Sequence, residues 1–319
     1  MPRKAAIIGA DIFPDRREQE LFRSASFETT YYPAQDPLQL LHELHDSEAL
    51  IVNLERVTAP LLDALPNLKV IGRYGVGVDN IDLQSAADHR VAVIHVPDYC
   101  IDEVAEHAVS LILSANRKLF PSVRLTKKGI WGKVAGLKPI RPIREQTLGI
   151  VGTGRIGLKV AAMMQSFGCR MLVYDPYIKP ELLPQGAQLT SFEHLLAESD
   201  LITIHCPLTE ETRHLFRTET FRFVKQQPAL INVSRGAIIR ERDLIDALDQ
   251  GIVSFAMLDV LESEPPGPNH PLLNHLNCAV TNHVAWYSDQ AEQRLRDLLV
   301  TRVIDYLNGN AVPSWINRF

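Results

Sequence analysis

The stretch Thr147-Leu-Gly-Ile-Val-Gly152-Thr-Gly154-Arg-Ile-Gly157 runs a short apolar segment into three glycines spaced G-x-G-x-x-G, and an amphipathic stretch from Leu158 to Phe167 follows. A strand, a tight turn and a helix in that order form the phosphate-cradling corner of a doubly wound sheet. Each glycine has its own task. Gly152 makes the turn, Gly154 lets a pyrophosphate approach the backbone, and Gly157 lets the helix close on the strand. The helix N-terminus then offers N–H groups and a positive dipole end to the phosphates. Asp175 ends the next apolar segment, 23 residues after Gly152, where a carboxylate accepts from adenosine ribose hydroxyls and repels a 2′-phosphate. The reading is therefore an NAD(H) turn rather than an NADP(H) one.

Working outward, short apolar runs alternate with amphipathic stretches along the whole chain, the pattern of strands and crossover helices. Upstream the strands read as Ala5–Gly9, Ala49–Asn53, Val70–Gly72 and Val91–Val96, each short enough and apolar enough to be buried on both faces. Asp102 is placed to cap a helix carrying Val104, Ala105, Ala108, Leu111 and Ile112 on one face. From Arg117 to Arg144 there are nine Lys or Arg and no acidic residue, broken by Gly129, Gly132, Gly136, Pro139 and Pro142. This reads as a loop-rich basic arm that meets solvent or a second subunit. Downstream, five strands read as Thr147–Val151, Arg170–Tyr174, Leu201–His205, Ala229–Val233 and Ser254–Leu258. A last helix spans Ser288 to Leu307, with Leu295, Leu298, Leu299 and Val303 on one face.

Composition bounds the function. With 319 residues, two domains are the starting expectation, and 46% hydrophobic against 22% charged residues supplies a packed core. A net charge of −5 argues against nucleic-acid binding, which needs clustered excess cations. No apolar run reaches the length of a membrane span. Cys100, Cys169, Cys206 and Cys278 lie far apart without a C-x-x-C pair, so neither a metal site nor a disulfide framework is signalled, and a reducing cytoplasm is the expected compartment.

Three further segments place titratable residues where buried strands end: Ile231-Asn-Val-Ser-Arg-Gly236, Leu258-Asp-Val-Leu-Glu-Ser-Glu-Pro265 and Thr281-Asn-His-Val-Ala-Trp-Tyr-Ser288. Singly, Arg235, Glu264 and His283 each have a bland reading as surface or loop residues. Together, an arginine, a carboxylate and an imidazole downstream of a dinucleotide turn are the parts needed to orient a carboxylate substrate and move a proton during hydride transfer.

With these motifs the chain resembles the D-isomer-specific 2-hydroxyacid dehydrogenases from about residue 45 to its end. The resemblance also rests on Gly72-Arg-Tyr-Gly-Val-Gly-Val-Asp-Asn-Ile-Asp82, Val104-Ala-Glu106 and His205-Cys-Pro-Leu-Thr209 with Thr212. The His283 segment and the stretch 149–177 are most similar to the C-terminal binding protein branch. The resemblance implies an α/β fold of two Rossmann-like or flavodoxin-like doubly wound parallel-sheet domains, with a hinge and an interdomain cleft. Residues 1–99 plus 288–319 would form the substrate domain, and residues 100–287 the NAD-binding domain.

Carried over residue by residue, the resemblance implies that Arg235 binds the substrate carboxylate and polarises the 2-oxo group. His283 would donate the proton, and Glu264 would fix its tautomer and raise its basicity. Gly152, Thr153, Gly154, Arg155 and Ile156 would surround the pyrophosphate, and Asp175, Cys206, Pro207 and Thr212 the adenosine. Asp259 would meet the nicotinamide end, Val233 would offer backbone contacts, and Ser234 would join them in binding the cofactor. Tyr74, Val76, Gly77 and Trp286 would join Arg235 around the substrate. Two positions depart from the family pattern: Asn282 stands where a proline is usual before the histidine, and Leu261 where an aromatic residue follows Asp259-Val. The implied activity is NADH-dependent, reversible reduction of a 2-oxo acid to the D-2-hydroxy acid by a homodimer. Two alternatives stay open: a D-3-phosphoglycerate dehydrogenase, for which Arg73 would meet a second anionic group, and an NADH-sensing binding protein.

Overall fold

A computed structural model describes residues 3–9, 15–132, 137 and 139–319. The chain divides into two units, Met1–Cys100 with Ser288–Phe319, and Ile101–Tyr287, each built on a parallel sheet of its own.

In the first unit, β1 (Arg3–Ile8), β2 (Phe27–Tyr32), β3 (Ala49–Val52), β4 (Val70–Arg73) and β5 (Ala92–Ile94) lie in the order β2-β1-β3-β4-β5, every neighbour parallel. The order steps outward from β1 to β2 and then crosses to β3, which is the flavodoxin-like winding. Strands β3 and β5 are fully buried runs of Ala, Leu, Ile and Val, so their periodicity is legible as unbroken hydrophobicity. β2, with the sequence Phe-Glu-Thr-Thr-Tyr-Tyr, was not anticipated: it is a polar edge strand in which only Phe27 is buried.

The C-terminal helix Asp289–Leu307 completes this unit. Ser288 caps it by accepting from Ala291 N at 2.9 Å, and Leu295, Leu299, Val300 and Val303 are buried. It lies close on β4: a Cβ built on Gly72 would stand 2.7 Å from Ile51 Cδ1 and 3.0 Å from Val303 Cγ2. Beyond the helix the chain closes the β5 edge. Val93 N donates to Asn317 Oδ1 at 2.7 Å, and Ile316 N donates to Val93 O at 3.0 Å.

In the second unit, β6 (Thr147–Val151), β7 (Arg170–Tyr174), β8 (Ala187–Leu189), β9 (Leu201–Ile204), β10 (Ala229–Asn232), β11 (Phe255–Leu258) and β12 (Cys278–Val280) lie in the order β12-β11-β10-β9-β6-β7-β8. All pairs are again parallel. The chain moves outward from β6 to β8, then crosses to β9 on the other side, so the switch point falls between β6 and β9 and the Gly152 turn sits on it. Five of these strands are the ones the sequence predicts. The two additions, β8 and β12, are edge strands of three residues each.

Two local expectations need correction. Asp102 lies inside the first turn of helix Ile101–Asn116 rather than capping it, and its carboxylate pairs with Lys159 at 2.8 Å. The basic arm opens with a helix, Leu119–Lys127, because Pro121 falls in a first turn whose N–H groups need no intrahelical partner. Residues 133–136 and 138 of that arm, Gly136 among them, lie outside the described residues. Among the described residues no helix is long and apolar enough to cross a membrane.

Candidate active site

Strand β6 ends in Gly152 at φ +89°, a left-handed conformation that L side chains rarely adopt, and a Cβ there would lie 2.5 Å from Cys206 N. Gly157, inside helix Arg155–Gln165, would put a Cβ 2.1 Å from Gly152 O. Gly154 differs: it has φ −63°, and a Cβ on it would meet nothing within 4 Å. It caps the helix without a side-chain bond, and the first intrahelical bond runs from Leu158 N to Gly154 O at 3.0 Å. The N–H groups of the first turn therefore face an open space beside a residue with no side chain. An anion of pyrophosphate size has room to approach the backbone there.

Asp175, at the end of β7, accepts on Oδ2 from Thr153 N at 2.7 Å and Thr153 Oγ1 at 2.8 Å, and on Oδ1 from Tyr177 N at 2.9 Å. Burial opposes its ionisation, but these bonds outweigh burial and hold the carboxyl below the usual range. Across the switch point, at the end of β9, burial pushes the Cys206 thiol up to about 12 and the neighbouring His205 imidazole down to about 3. Both stay neutral at physiological pH. Thr212 Oγ1 donates to Pro207 O at 2.6 Å and accepts from Thr209 N at 2.8 Å, which fixes the turn that carries Pro207.

The arginine, carboxylate and imidazole all fall at strand ends of this same unit. Asn232, fully buried at the end of β10, donates Nδ2 to Arg235 O at 2.9 Å and accepts from Ser234 N at 3.0 Å, clasping the turn Val233–Arg235. Gly236 is compelled by the next loop, since a Cβ on it would meet Leu261 C at 1.9 Å. That loop carries Glu264, which accepts from Leu261 N on Oε1 at 2.8 Å and meets His283 Nδ1 with Oε2 at 2.5 Å. Burial raises the Glu264 carboxyl, but the His283 bond, the Leu261 amide and the Arg235 charge together hold it below the ordinary range. With Nδ1 committed to a carboxylate, Nε2 of His283 is the atom left to exchange a proton.

His283 itself has φ +54°, an uncommon conformation for a residue with a side chain. Asp259, only 2% exposed at the end of β11, holds it there. Its carbonyl accepts from His283 N at 2.9 Å, its Oδ1 from Thr281 Oγ1 at 2.5 Å and Val284 N at 3.0 Å, and its Oδ2 from Ala285 N at 2.9 Å. His107, from helix Ile101–Asn116, adds Nε2 at 3.2 Å from Thr281 Oγ1. The Asp259 carboxylate thus organises the loop that presents His283, a role the sequence did not announce because its donors lie 22 to 26 residues downstream. Trp286, two residues beyond Val284, packs edge-on against Tyr287 with ring centroids 5.5 Å apart.

In the first unit, the substrate candidates follow β4. Val76 is 37% exposed, whereas Tyr74 is 5% exposed and turns its hydroxyl into the interior, onto Glu18. Arg73 is also buried; its Nη1 donates to Tyr74 O at 2.7 Å and lies where a Cβ on Gly75 would be.

Residues 109–285 match the family model described as D-isomer specific 2-hydroxyacid dehydrogenase, NAD binding domain, which covers nearly all of the second unit. The chain is 36% identical over 290 residues to a glyoxylate reductase of Thermofilum pendens, spanning 88% of this chain and 84% of that one. It is 36% identical to a D-3-phosphoglycerate dehydrogenase of Archaeoglobus fulgidus, of which the match covers 53%. Among solved structures, the D-lactate dehydrogenase of Aquifex aeolicus complexed with NAD and lactic acid superposes with a TM-score of 0.87 at 30% identity, over 96% of both chains. A parallel sheet wound 3-2-1-4-5-6-7 from β8 to β12, a glycine turn on its switch point and these matches together make one statement: the chain belongs to the D-isomer specific 2-hydroxyacid dehydrogenase family.

Proposed function

We propose that this protein reduces a small, unphosphorylated 2-oxo acid to its D-2-hydroxy acid with NADH, reversibly, with His283 as general acid and base. The observation that carries the reading is the 2.5 Å Glu264–His283 pair, set at the strand ends of an NAD-binding domain with Arg235 close enough to act on Glu264. Family relatives bear the names of glyoxylate reductase and D-lactate dehydrogenase, which fits a small substrate.

NAD(H) fits the residues present: the open face at Gly154 takes the pyrophosphate, and the ionised Asp175 accepts from the ribose hydroxyls while opposing a 2′-phosphate. When bound there, the cofactor supplies the hydride for C2 of the substrate. Arg235 binds the substrate carboxylate and withdraws electron density from the 2-oxo group. His283 gives its Nε2 proton to the carbonyl oxygen, and Glu264 stabilises the imidazolium and fixes its tautomer through Nδ1. In the first unit, the N–H groups of Val76 and Gly77 are assigned to the substrate carboxylate, and among the described residues neither donates to another group.

Arg73 weighs against a phosphorylated substrate, because its guanidinium is buried on Tyr74 O rather than held out for a second anion. The test is a steady-state screen of about twenty 2-oxo acids, glyoxylate, pyruvate and phosphohydroxypyruvate included, with NADH and with NADPH. A distinct preference in kcat/KM for a small acid with NADH is expected. A preference for phosphohydroxypyruvate replaces the substrate assignment, and inertness across the panel with NADH binding intact replaces the enzyme by an NADH-sensing binding protein.

The three glycines separate cofactor binding from folding. Gly154→Ala adds a methyl to open space, so its melting temperature stays within about 1 °C while NADH Kd rises about tenfold. Gly152→Ala forces a left-handed alanine against Cys206 N and lowers stability by about 3 kcal/mol. Thermal melts and fluorescence titration read the two effects separately.

We further infer a homodimer through helix Leu119–Lys127, whose Leu119, Phe120 and Val123 are exposed at 50%, 40% and 53%. Light scattering is expected to return twice the chain mass, and Val123→Glu to return the monomer. The four cysteines are buried, and from their wide spacing without a C-x-x-C pair we infer a reducing cytoplasm as the compartment.

A further inference from the structure

Inside the first unit, four elements converge on one carboxylate. Glu18 sits on the inner face of helix Arg16–Ser24 and is fully buried. Its Oε1 accepts from the Tyr74 hydroxyl, beyond the end of β4, and its Oε2 accepts from Tyr31 Oη on β2 at 3.3 Å and from Arg296 Nη1 at 3.2 Å. Arg296 comes from helix Asp289–Leu307, where it also binds Glu292 at 3.0 Å, and its guanidinium carbon stands 6.0 Å from the Tyr74 ring centre. A buried ion pair is a poor stabiliser, because desolvation cancels most of its attraction and an apolar side chain of similar size commonly does as well. What such a pair does supply is direction. Here it fixes the positions of two hydroxyls, those of Tyr31 and Tyr74, and the second stands at the start of a turn.

The turn that follows Tyr74 is tied down along one side. Tyr74 O accepts from Arg73 Nη1 at 2.7 Å, Gly75 O from Val96 N at 3.0 Å, and Val76 O lies 2.7 Å from His95 Nδ1. Every carbonyl from Tyr74 to Val76 is thus engaged, whereas the N–H groups of Val76 and Gly77 donate to nothing among the described residues. Successive N–H groups left open on one side of a turn form an anion nest. Such a nest binds well only if its backbone is held in one pose before the ligand arrives.

We propose that Glu18 is a positioning residue for substrate: through the Tyr74 hydroxyl it holds the Gly75–Gly77 turn in the pose that accepts the substrate carboxylate. This rests on the reading of Val76 and Gly77 as carboxylate donors. Glu18 touches no reacting atom, so its loss weakens substrate binding and leaves the chemical step and cofactor binding in place.

The test compares Glu18→Leu, Tyr74→Phe and the double variant with the wild-type holoenzyme, using glyoxylate and pyruvate as substrates. Tyr74→Phe removes one hydroxyl and keeps the ring, so it reports even where Glu18→Leu fails to fold. Substrate KM is expected to rise about tenfold in each single variant and no further in the double, with kcat within threefold and NADH Kd within twofold. A role confined to stability would move the melting temperature and leave KM unchanged. KM within twofold of wild type in folded variants, or additive effects in the double variant, overturns the proposal alone. Absence of turnover in the wild type overturns it together with the reading on which it rests.

Discussion

His283→Asn is expected to lower kcat for 2-oxo acid reduction by about 10³-fold while NADH binds as in the wild type. General acid catalysis contributes about 10²- to 10⁴-fold, and this residue is the one imidazole paired with the Glu264 carboxylate. Asparagine is the informative replacement because the position has φ +54°, and asparagine enters that region more readily than other residues with side chains. The loop keeps its shape, and the melting temperature stays within about 2 °C. The loss is therefore chemical. Fluorescence titration with NADH establishes that the cofactor domain is intact, and a single-turnover trace separates a slowed chemical step from slowed release. A variant that retained more than a tenth of wild-type kcat would remove His283 from the reaction.

The second large effect belongs to Asp259→Ala. Its carboxylate is nearly inaccessible to solvent and accepts from Thr281 Oγ1, Val284 N and Ala285 N, so truncation strands three donors where water has little access. Leaving a buried donor unsatisfied costs about 1–3 kcal/mol. Allowing for partial relaxation of the loop, a loss of about 3 kcal/mol is expected, which lowers the melting temperature of a unit this size by about 8 °C. Turnover falls by about 10²-fold as well, because nothing then holds His283 in its left-handed pose. The distinguishing result is structural: if Asp259 served only the cofactor, the variant would raise NADH Kd and leave stability unchanged.

Parts of this architecture are legible in the sequence because burial writes itself as composition. β3 and β11 are unbroken apolar runs, and β6, β9 and β10 each carry a single polar residue in a short apolar run, because all five are buried on both faces over nearly their whole length. The Gly152 turn is legible because a left-handed residue at a close approach leaves glycine as the compatible choice. β2 is not legible, since an edge strand whose outer residues are Glu, Thr and Tyr has no apolar signature, and β8 and β12 are too short to carry any period. Glu18 is the clearest failure of local reading. It stands in Arg16-Arg-Glu-Gln-Glu20, a run that looks entirely solvated, and its partners Tyr31, Tyr74 and Arg296 are separated from it by 13, 56 and 278 positions. Asp259 was legible as a residue of the site but not as the anchor of the histidine loop, because the bonds that define that role form only once β11 and β12 are paired.

The placement of helix Asp289–Leu307 against β4, and of Asn317 against β5, sets an order of events during synthesis. The second unit is continuous in sequence and can close as soon as residue 287 has left the ribosome. Residues 1–100 emerge before that unit yet close after it, since one face of their sheet and one of its edges are covered by residues 289–317. For the whole interval of translation between them, about ten to forty seconds at 5–20 residues per second, the nascent chain carries an uncovered apolar face around Gly72 and an unpaired edge at β5. Trigger-type chaperones that shield nascent apolar surface should therefore affect the yield of this protein more than its refolding.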